Sequence, residues 1–278
     1  MRVASLHVYP VKSMAGMAVE STEVCPGGLR DDRRWMVVDA SGHKLTARER
    51  HRLLHALPEP DGTGGLKLSY RDGSLPPLLV PRPDHAPDVA TDLSRLTTAT
   101  SSTPEADAWV SEVVEEQARL VRLDDPARRP IGASHGGLPG EPLSLADAGP
   151  VHLATEASMA RLNDWLTASD ESGIPIGRFR PNIVVAGDIE PFAEDAWRRV
   201  RIGGVTFRFG EHCDRCVLPT IDADTLTGSK EPTRTLARHR RWDGKVWFGI
   251  RLIPETYGPL RSGDQIEPLE VATVDSAS

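Results

Sequence analysis

Turn residues interrupt this chain too often for long helices to dominate. Its 278 residues include 23 prolines and 24 glycines, and short runs rich in β-branched side chains lie between them. Proline removes a backbone donor and glycine favours turns, so the pattern specifies many short strands. The opening "RVASLHVYPV" reads as a strand ending at Pro10. "RRWMVVDA" reads as another, closed by the turn "DASGHK". "KLTARE" then follows as its hairpin partner or as an arm reaching into a site. "GLKLSY" and "LPPLLVP" are further short strands. Residues 81–104, rich in Pro, Asp, Ser and Thr, read as a long surface connection.

One clear helix stands in the first half, near 104–117. Thr103 suits the N-cap, Pro104 the first helical position, and Glu105 and Asp107 the first turn. Ala106, Trp109, Val110, Val113 and Val114 share one apolar face. "ARLVRL" follows as a strand, and the Gly-, Pro- and Arg-rich "DDPARRPIGASHGGLPGEP" reads as a linker or an ordered loop over a site. A second helix is expected at Thr155–Ala168, with Met159, Leu162 and Leu166 on one face. "NIVVAG", "RRVRIG", "VTFRFG", "KVWFGIRLIP" and "DQIEPLE" then read as strands joined by glycine turns. The expected fold is therefore mainly β with a few helices. A smaller β-rich, α+β domain covers 1–123, a mostly antiparallel β-barrel covers 124–270, and a polar tail covers 271–278.

The net charge of −7 argues against a nucleic acid partner and against an anionic membrane surface. The basic run "RTLARHRR" lies toward the C-terminus of a short helix, where it complements the dipole. No apolar run approaches the ~20 residues of a membrane span, and "MRVASLHVYPVKSMAG" lacks the apolar core of a signal peptide. Three cysteines do not make a disulfide framework, which fits a reducing cytoplasm.

Two of those cysteines stand close together, in "EHCDRCVLPTID". Structural zinc needs four ligands; Cys213 and Cys216 supply two, the adjacent His212 and the more remote His239 could add the others, and no second closely spaced pair supports the set. A dithiol redox pair needs a helix start after the motif, and Pro219 opposes one. Both thiols can also be small buried hydrophobes, although Arg215 between them favours a thiolate. A single thiolate on a soft metal is the fourth reading. A phosphate-bearing cofactor around that metal would need basic anchors. Lys12-Ser13, Arg33, Arg34, Arg178 and Arg180 sit at strand ends where they can supply them.

At these residues the sequence resembles the MOSC domain family, in the two-domain form that carries an N-terminal MOSC-associated β-barrel. That group includes the mitochondrial amidoxime-reducing component and its bacterial relatives. The resemblance rests on "YPVKSMAG", "GLRDDRRWMVVD", "LTARE", "RFRPNIVVAG", "EDAW", "DRCVLPTIDADTLTG", "KEPTRTL" and "GDQIE", in the family's order and over nearly the whole chain. It implies a molybdenum–molybdopterin cofactor whose metal takes one protein ligand, at the position of Cys216. Lys12, Ser13, Arg33, Arg180 and Asn182 would grip the pterin phosphate or ring, and Asp214 and Arg215 would flank the ligand. Asp147 matches an acidic cofactor contact, followed here by Ala148 and Gly149, which supply no hydroxyl. Cys213 is implied to be packing or a neighbour of the ligand. Asp188 stands where the eukaryotic members carry a further cysteine. No stretch resembles the desulfurase domain of the cofactor sulfurases.

The implied activity is an oxidoreductase that reduces small N-hydroxylated compounds. No ferredoxin-like cysteine set is present, so electrons would come from a separate donor protein, ferredoxin-like or a flavin reductase. The alternative is a non-catalytic carrier of the cofactor or of sulfur on Cys216.

Overall fold

The computed structural model describes residues 1–272. Most of the expected polar tail, 273–278, lies outside the described residues. The chain begins with β1 (Arg2–Val8), β2 (Met17–Val19), β3 (Ser21–Cys25), β4 (Gly28–Leu29), β5 (Trp35–Asp39) and β6 (Lys44–Leu45). It continues with β7 (Ala56–Pro60), β8 (Leu66–Tyr70), β9 (Leu78–Val80), β10 (Asp88–Leu93) and β11 (Leu96–Ser101). Helix α1 (Pro104–Val114) and β12 (Ala118–Arg122) close the first half. The fold is mainly β, as the turn density requires.

Residues 81–104 are not a plain connection: β10 and β11 form an antiparallel hairpin with Leu93 opposite Leu96. The Asp- and Pro-rich flank masks a Val/Thr alternation, and the two-residue turn Ser94-Arg95 has no glycine to announce it. Arg95 takes the positive φ of 64° that such a turn needs. Helix α1 has the expected cap, with the Ala106 N–H donating to Thr103 Oγ1. It stops at Val114, short of 117, because Glu115 adopts a left-handed conformation with φ 60°. Its apolar face packs Trp109, Val110 and Val113 with Trp35, Val37, Leu66, Leu68 and Leu120.

In the second half, β13 (Val151–Thr155) and β14 (Ile183–Ala186) run parallel, joined by α2 (Glu156–Thr167). Among the strands of the described residues, this is the one parallel pair. β13 escaped the sequence reading because its five residues run straight into the α2 N-cap, Thr155. Next come β15 (Trp197–Ile202), β16 (Val205–Asp214), α3 (Thr233–His239), β17 (Arg241–Trp242), β18 (Lys245–Pro254), β19 (Gly258–Arg261) and β20 (Ile266–Val271).

The main sheet runs β2-β1-β14-β13-β18-β16-β15-β20. It curls until its ends meet: Arg2 bridges Gln265, the Val3 N–H donates to Asp264 O at 2.9 Å, and the Ile266 N–H donates to Met1 O at 3.1 Å. Val3, Leu6, Leu153, Ile183, Val200, Phe207, Ile250 and Leu252 fill the interior. The first strand of the chain therefore completes the barrel of the second half, and β3 pairs with β19 beside it. Returning from β1, residues 9–14 cross to the first half, where Val11 bridges Trp35 and the Lys12 N–H donates to Trp35 O. This crossing sets the lip of the candidate site.

Candidate functional site

One cavity collects Lys12, Ser13, Arg33, Asp147, Arg180, Asn182, Asp214, Arg215 and Cys216, the nine residues the family resemblance implied; of the other expected basic anchors, Arg34 lines a separate cavity and Arg178 pairs with Asp222 outside this one. They arrive from separate stretches. Lys12 and Ser13 follow the crossing after β1, and Arg33 precedes β5. Asp147 precedes β13, and Arg180 and Asn182 precede β14. Asp214 ends β16, and Arg215 and Cys216 follow it.

The charge is cationic but organised. Lys12, Arg33, Arg48, Arg180, Arg215 and Arg251 line the cavity against Asp147 and Asp214. Lys12 is buried; its Nζ donates to Leu145 O at 3.0 Å and pairs with Asp147. Lys12 holds the Asp147 carboxyl well below the usual carboxylate range, and burial lowers the Lys12 ammonium. Arg48, on the "LTARE" arm, reaches Asp147 Oδ2 at 3.5 Å; burial opposes its charge, but its acidic neighbours outweigh that and raise its pKa.

Arg33 has a left-handed backbone (φ 50°), donates to Asp32 Oδ2 at 2.6 Å and to Asn182 Oδ1 at 3.2 Å, and lies over the Tyr9 ring. Arg180 covers the same ring at 4.2 Å. Burial lowers the Arg180 pKa to about 10, and its Nη2 has no hydrogen-bond partner. Asn182 lines the cavity, yet its amide is fully committed. Its Nδ2 donates to His7 O and Asp32 Oδ1, while its Oδ1 accepts from the His152 N–H and Arg33. It therefore orients Arg33 and has no polar group left for a ligand.

Around the cysteines, the alternatives separate. Cys213 is buried, and Arg215 Nη1 donates to its Sγ at 2.7 Å while Nη2 donates to Phe179 O. Burial pushes the Cys213 thiol up, but Arg215 and Arg251 overcome it and bring it down to about 5. Cys216 is half-buried, in the bend between β16 and the short turn Leu218–Thr220. That turn is a single 3-10 turn, so Cys216 has no helix dipole behind it. The two cysteines are not bonded to one another. His239 stacks on Trp165 and His212 lies among Phe209, Trp242 and Trp247, so the four residues of a zinc site are not assembled.

Sequence reasoning missed Arg48, His152 and Arg251 as lining residues. Arg251 carried a signal: it is a lone arginine inside "KVWFGIRLIP", buried, and anchored to Glu211 at 2.6 Å and Asp214 at 2.9 Å. His152 Nε2 has no hydrogen-bond partner, and Gly249 opposite has φ 75°. A Cβ at Gly249 would stand 2.6 Å from that nitrogen, so only glycine lets β18 pack this closely behind His152.

The donor set fits a large phosphate-bearing group with a soft metal. Arg180, Arg215 and His152, each with an unpartnered buried nitrogen, line one thiol-bearing cavity rich in guanidinium forks.

Comparison with known proteins agrees over the whole chain. Residues 1–117 match the MOSC N-terminal beta barrel domain and residues 140–267 the MOSC domain. The chain is 32% identical to "Mitochondrial amidoxime reducing component 2" of Rattus norvegicus and 33% identical to "Mitochondrial amidoxime-reducing component 1" of Homo sapiens. Each alignment covers 95% of this chain and 82% of the relative. It is 30% identical to "Molybdenum cofactor sulfurase" of Oryza sativa subsp. japonica, over 89% of this chain but only 32% of that protein. Among the described residues no helix is long and apolar enough to cross a membrane. With two family domains matched in order and 95% of its length aligned to relatives, this chain belongs to the MOSC domain family.

Proposed function

We propose that this chain holds a molybdenum–molybdopterin cofactor in the cavity, with Cys216 as the protein ligand of the metal. We further propose that it reduces N-hydroxylated compounds with electrons from a separate donor protein. The observation that carries this reading is the convergence of nine separately recognised residues on one cationic, thiol-bearing cavity. The names of the rat and human relatives support the amidoxime-type substrate class.

When bound, the cofactor supplies the redox chemistry of the reaction. The chain's own residues bind and orient. Arg33, Arg48 and Arg180 present charged forks to a phosphate, and Lys12 is already paired with Asp147. Ser13 borders the same lip. Arg215 keeps its guanidinium on Cys213 and the Phe179 carbonyl, so it frames Cys216 instead of bonding a ligand bidentately. Asp214 holds Arg251 in position.

The test is metal analysis of protein from a cofactor-competent host. Wild type is expected to carry molybdenum and, given a ferredoxin-like or flavin reductase donor, to reduce an N-hydroxylated base. Cys216→Ser is expected to lose both with an unchanged circular dichroism spectrum. Molybdenum retained in that variant overturns the ligand assignment.

The carrier reading draws on the likeness to the cofactor sulfurase. It predicts cofactor release to a recipient apoenzyme and no turnover of N-hydroxylated compounds.

A further inference from the structure

Residues 31–34 serve two cavities. Arg33 lines the one described above, while Asp31 and Arg34 line a second, of about 330 Å³. Its walls come from Cys25–Leu29, Arg30, the Gly62–Gly64 loop, Arg82, Arg122, Pro126 and Ser144. Four arginines, Arg30, Arg34, Arg82 and Arg122, face a single lining acid, Asp31.

Arg122 is the informative member. It lies in β12 opposite Trp35, only 6% exposed, and its Nε has no hydrogen-bond partner. Burial, aided by repulsion from Arg34 and Arg82, lowers its pKa to about 10. A buried guanidinium of this kind is costly unless something pairs with it. Arg34 gives no relief, since its Nε and Nη2 donate to the Leu123 carbonyl and Nη2 also to the Asp124 carbonyl. Arg82 is exposed at the rim and touches Asp84 at 3.3 Å. The Gly62–Gly64 loop is held shut on itself by Asp61, whose carboxylate accepts from the Thr63 and Gly65 N–H groups. A Cβ at Gly64 would meet Arg82 Cδ at 3.1 Å and Arg122 Nη2 at 3.5 Å, so the loop brings bare backbone against both arginines.

We propose that this second cavity binds a phosphate-bearing anion, with the buried Arg122 and the rim Arg82 as its charged ligands and Arg34 beside them. Planar guanidinium forks match phosphate oxygens, and an anion supplies the acceptor that Arg122 Nε lacks, the Trp35 ring 5.8 Å from the guanidinium offering none. The site is independent of the cofactor reading, because it shares no lining residue with the first cavity.

Each cavity contains its own reporter thiol: Cys25 in the second, Cys216 in the first. The purified full chain is labelled with N-ethylmaleimide in orthophosphate, in pyrophosphate, or in chloride of matched ionic strength, and labelling is quantified peptide by peptide. Pyrophosphate is expected to slow Cys25 labelling at least threefold relative to chloride. Arg122→Gln is expected to abolish that protection and leave any protection at Cys216 unchanged. Arg82→Gln, at an exposed position, carries the test if Arg122→Gln does not fold, and is expected to weaken the apparent phosphate affinity at least threefold. Equal protection by orthophosphate and pyrophosphate identifies a single phosphate group as the determinant; stronger protection by pyrophosphate identifies a diphosphate or larger phosphorylated molecule. Cys25 labelling that ignores both anions overturns the proposal. So does protection that survives unweakened in either variant.

Discussion

The two arginine-lined cavities differ in what neutralises their charge. In the first, nearly every cation meets an acid or a thiolate: Lys12 with Asp147, Arg33 with Asp32, Arg251 with Glu211 and Asp214, Arg215 with Cys213. In the second, Arg34 leans on main-chain carbonyls and Arg122 Nε on nothing. Most cations of the first cavity are thus oriented by the protein, with Arg180 Nη2 and Arg215 Nε the unpartnered exceptions. The second leaves charge to be satisfied from outside. The same residue type therefore has opposite effects on stability in the two, because a buried charge stabilises only when its partner is already present.

Four substitutions sharpen or break this contrast. The largest effect is expected at Arg33→Gln. It strips the fully buried Asp32 carboxylate of its cation, leaving only the Tyr9 N–H and Asn182 Nδ2 as donors. Breaking a buried pair from one side costs about 3–5 kcal/mol, read as the shift of a urea unfolding midpoint. A loss below about 1 kcal/mol would mean that the pair is not what holds this wall.

Gly249→Ala tests the backbone packed behind His152, a residue that lines the same cavity. The positive φ and the 2.6 Å approach to His152 Nε2 and to Leu153 O predict about 2–4 kcal/mol of destabilisation. A well-folded Ala variant with wild-type melting would show that β18 relaxes freely there.

Arg122→Gln should do the reverse of Arg33→Gln. In phosphate-free buffer it is expected to gain about 1 kcal/mol, since it removes a buried charge that has no partner at Nε. Destabilisation in that buffer would erase the contrast between the cavities.

The smallest effect is a pH dependence. The folded-state pKa of Asp147 is depressed, chiefly by Lys12. Its contribution is therefore present above the unfolded carboxylate value of about 4 and lost as the pH falls below it. Because the Asp147 side chain is 55% exposed, solvent screening limits this to less than about 1 kcal/mol. Lys12→Met should flatten the fall in melting temperature between pH 6 and pH 3. An unchanged slope would assign the acid sensitivity elsewhere.

Local chemistry made much of this molecule legible. Thr103 and Pro104 announced α1, β-branched runs announced most strands, and the strings around Lys12, Arg33, Arg180 and Cys216 pointed to residues that do share a cavity. The hairpin of β10 and β11 was hidden because its turn, Ser94-Arg95, uses a non-glycine residue at positive φ. Asn182 was recognised but its part was not: four hydrogen bonds from three distant segments turn it into a support for Arg33. Of the second cavity only Arg34 stood out, and it was grouped with the first, since residues 30, 34, 82 and 122 have no common spacing.

Sequence alone determined the β-rich class, the α1 boundary at its N-cap, and a set of residues that share one cationic cavity with a thiol. Only the tertiary structure decided that β1 belongs to the barrel of the second half, that Arg215 engages Cys213 while Cys216 stays half-exposed, and that Arg122 is buried without a partner at Nε. The physical reason is range. Turn and cap preferences act over three or four residues and can be read along the chain. Sheet order and charge pairing depend on which distant segments meet, and burial then fixes the energy of each charge.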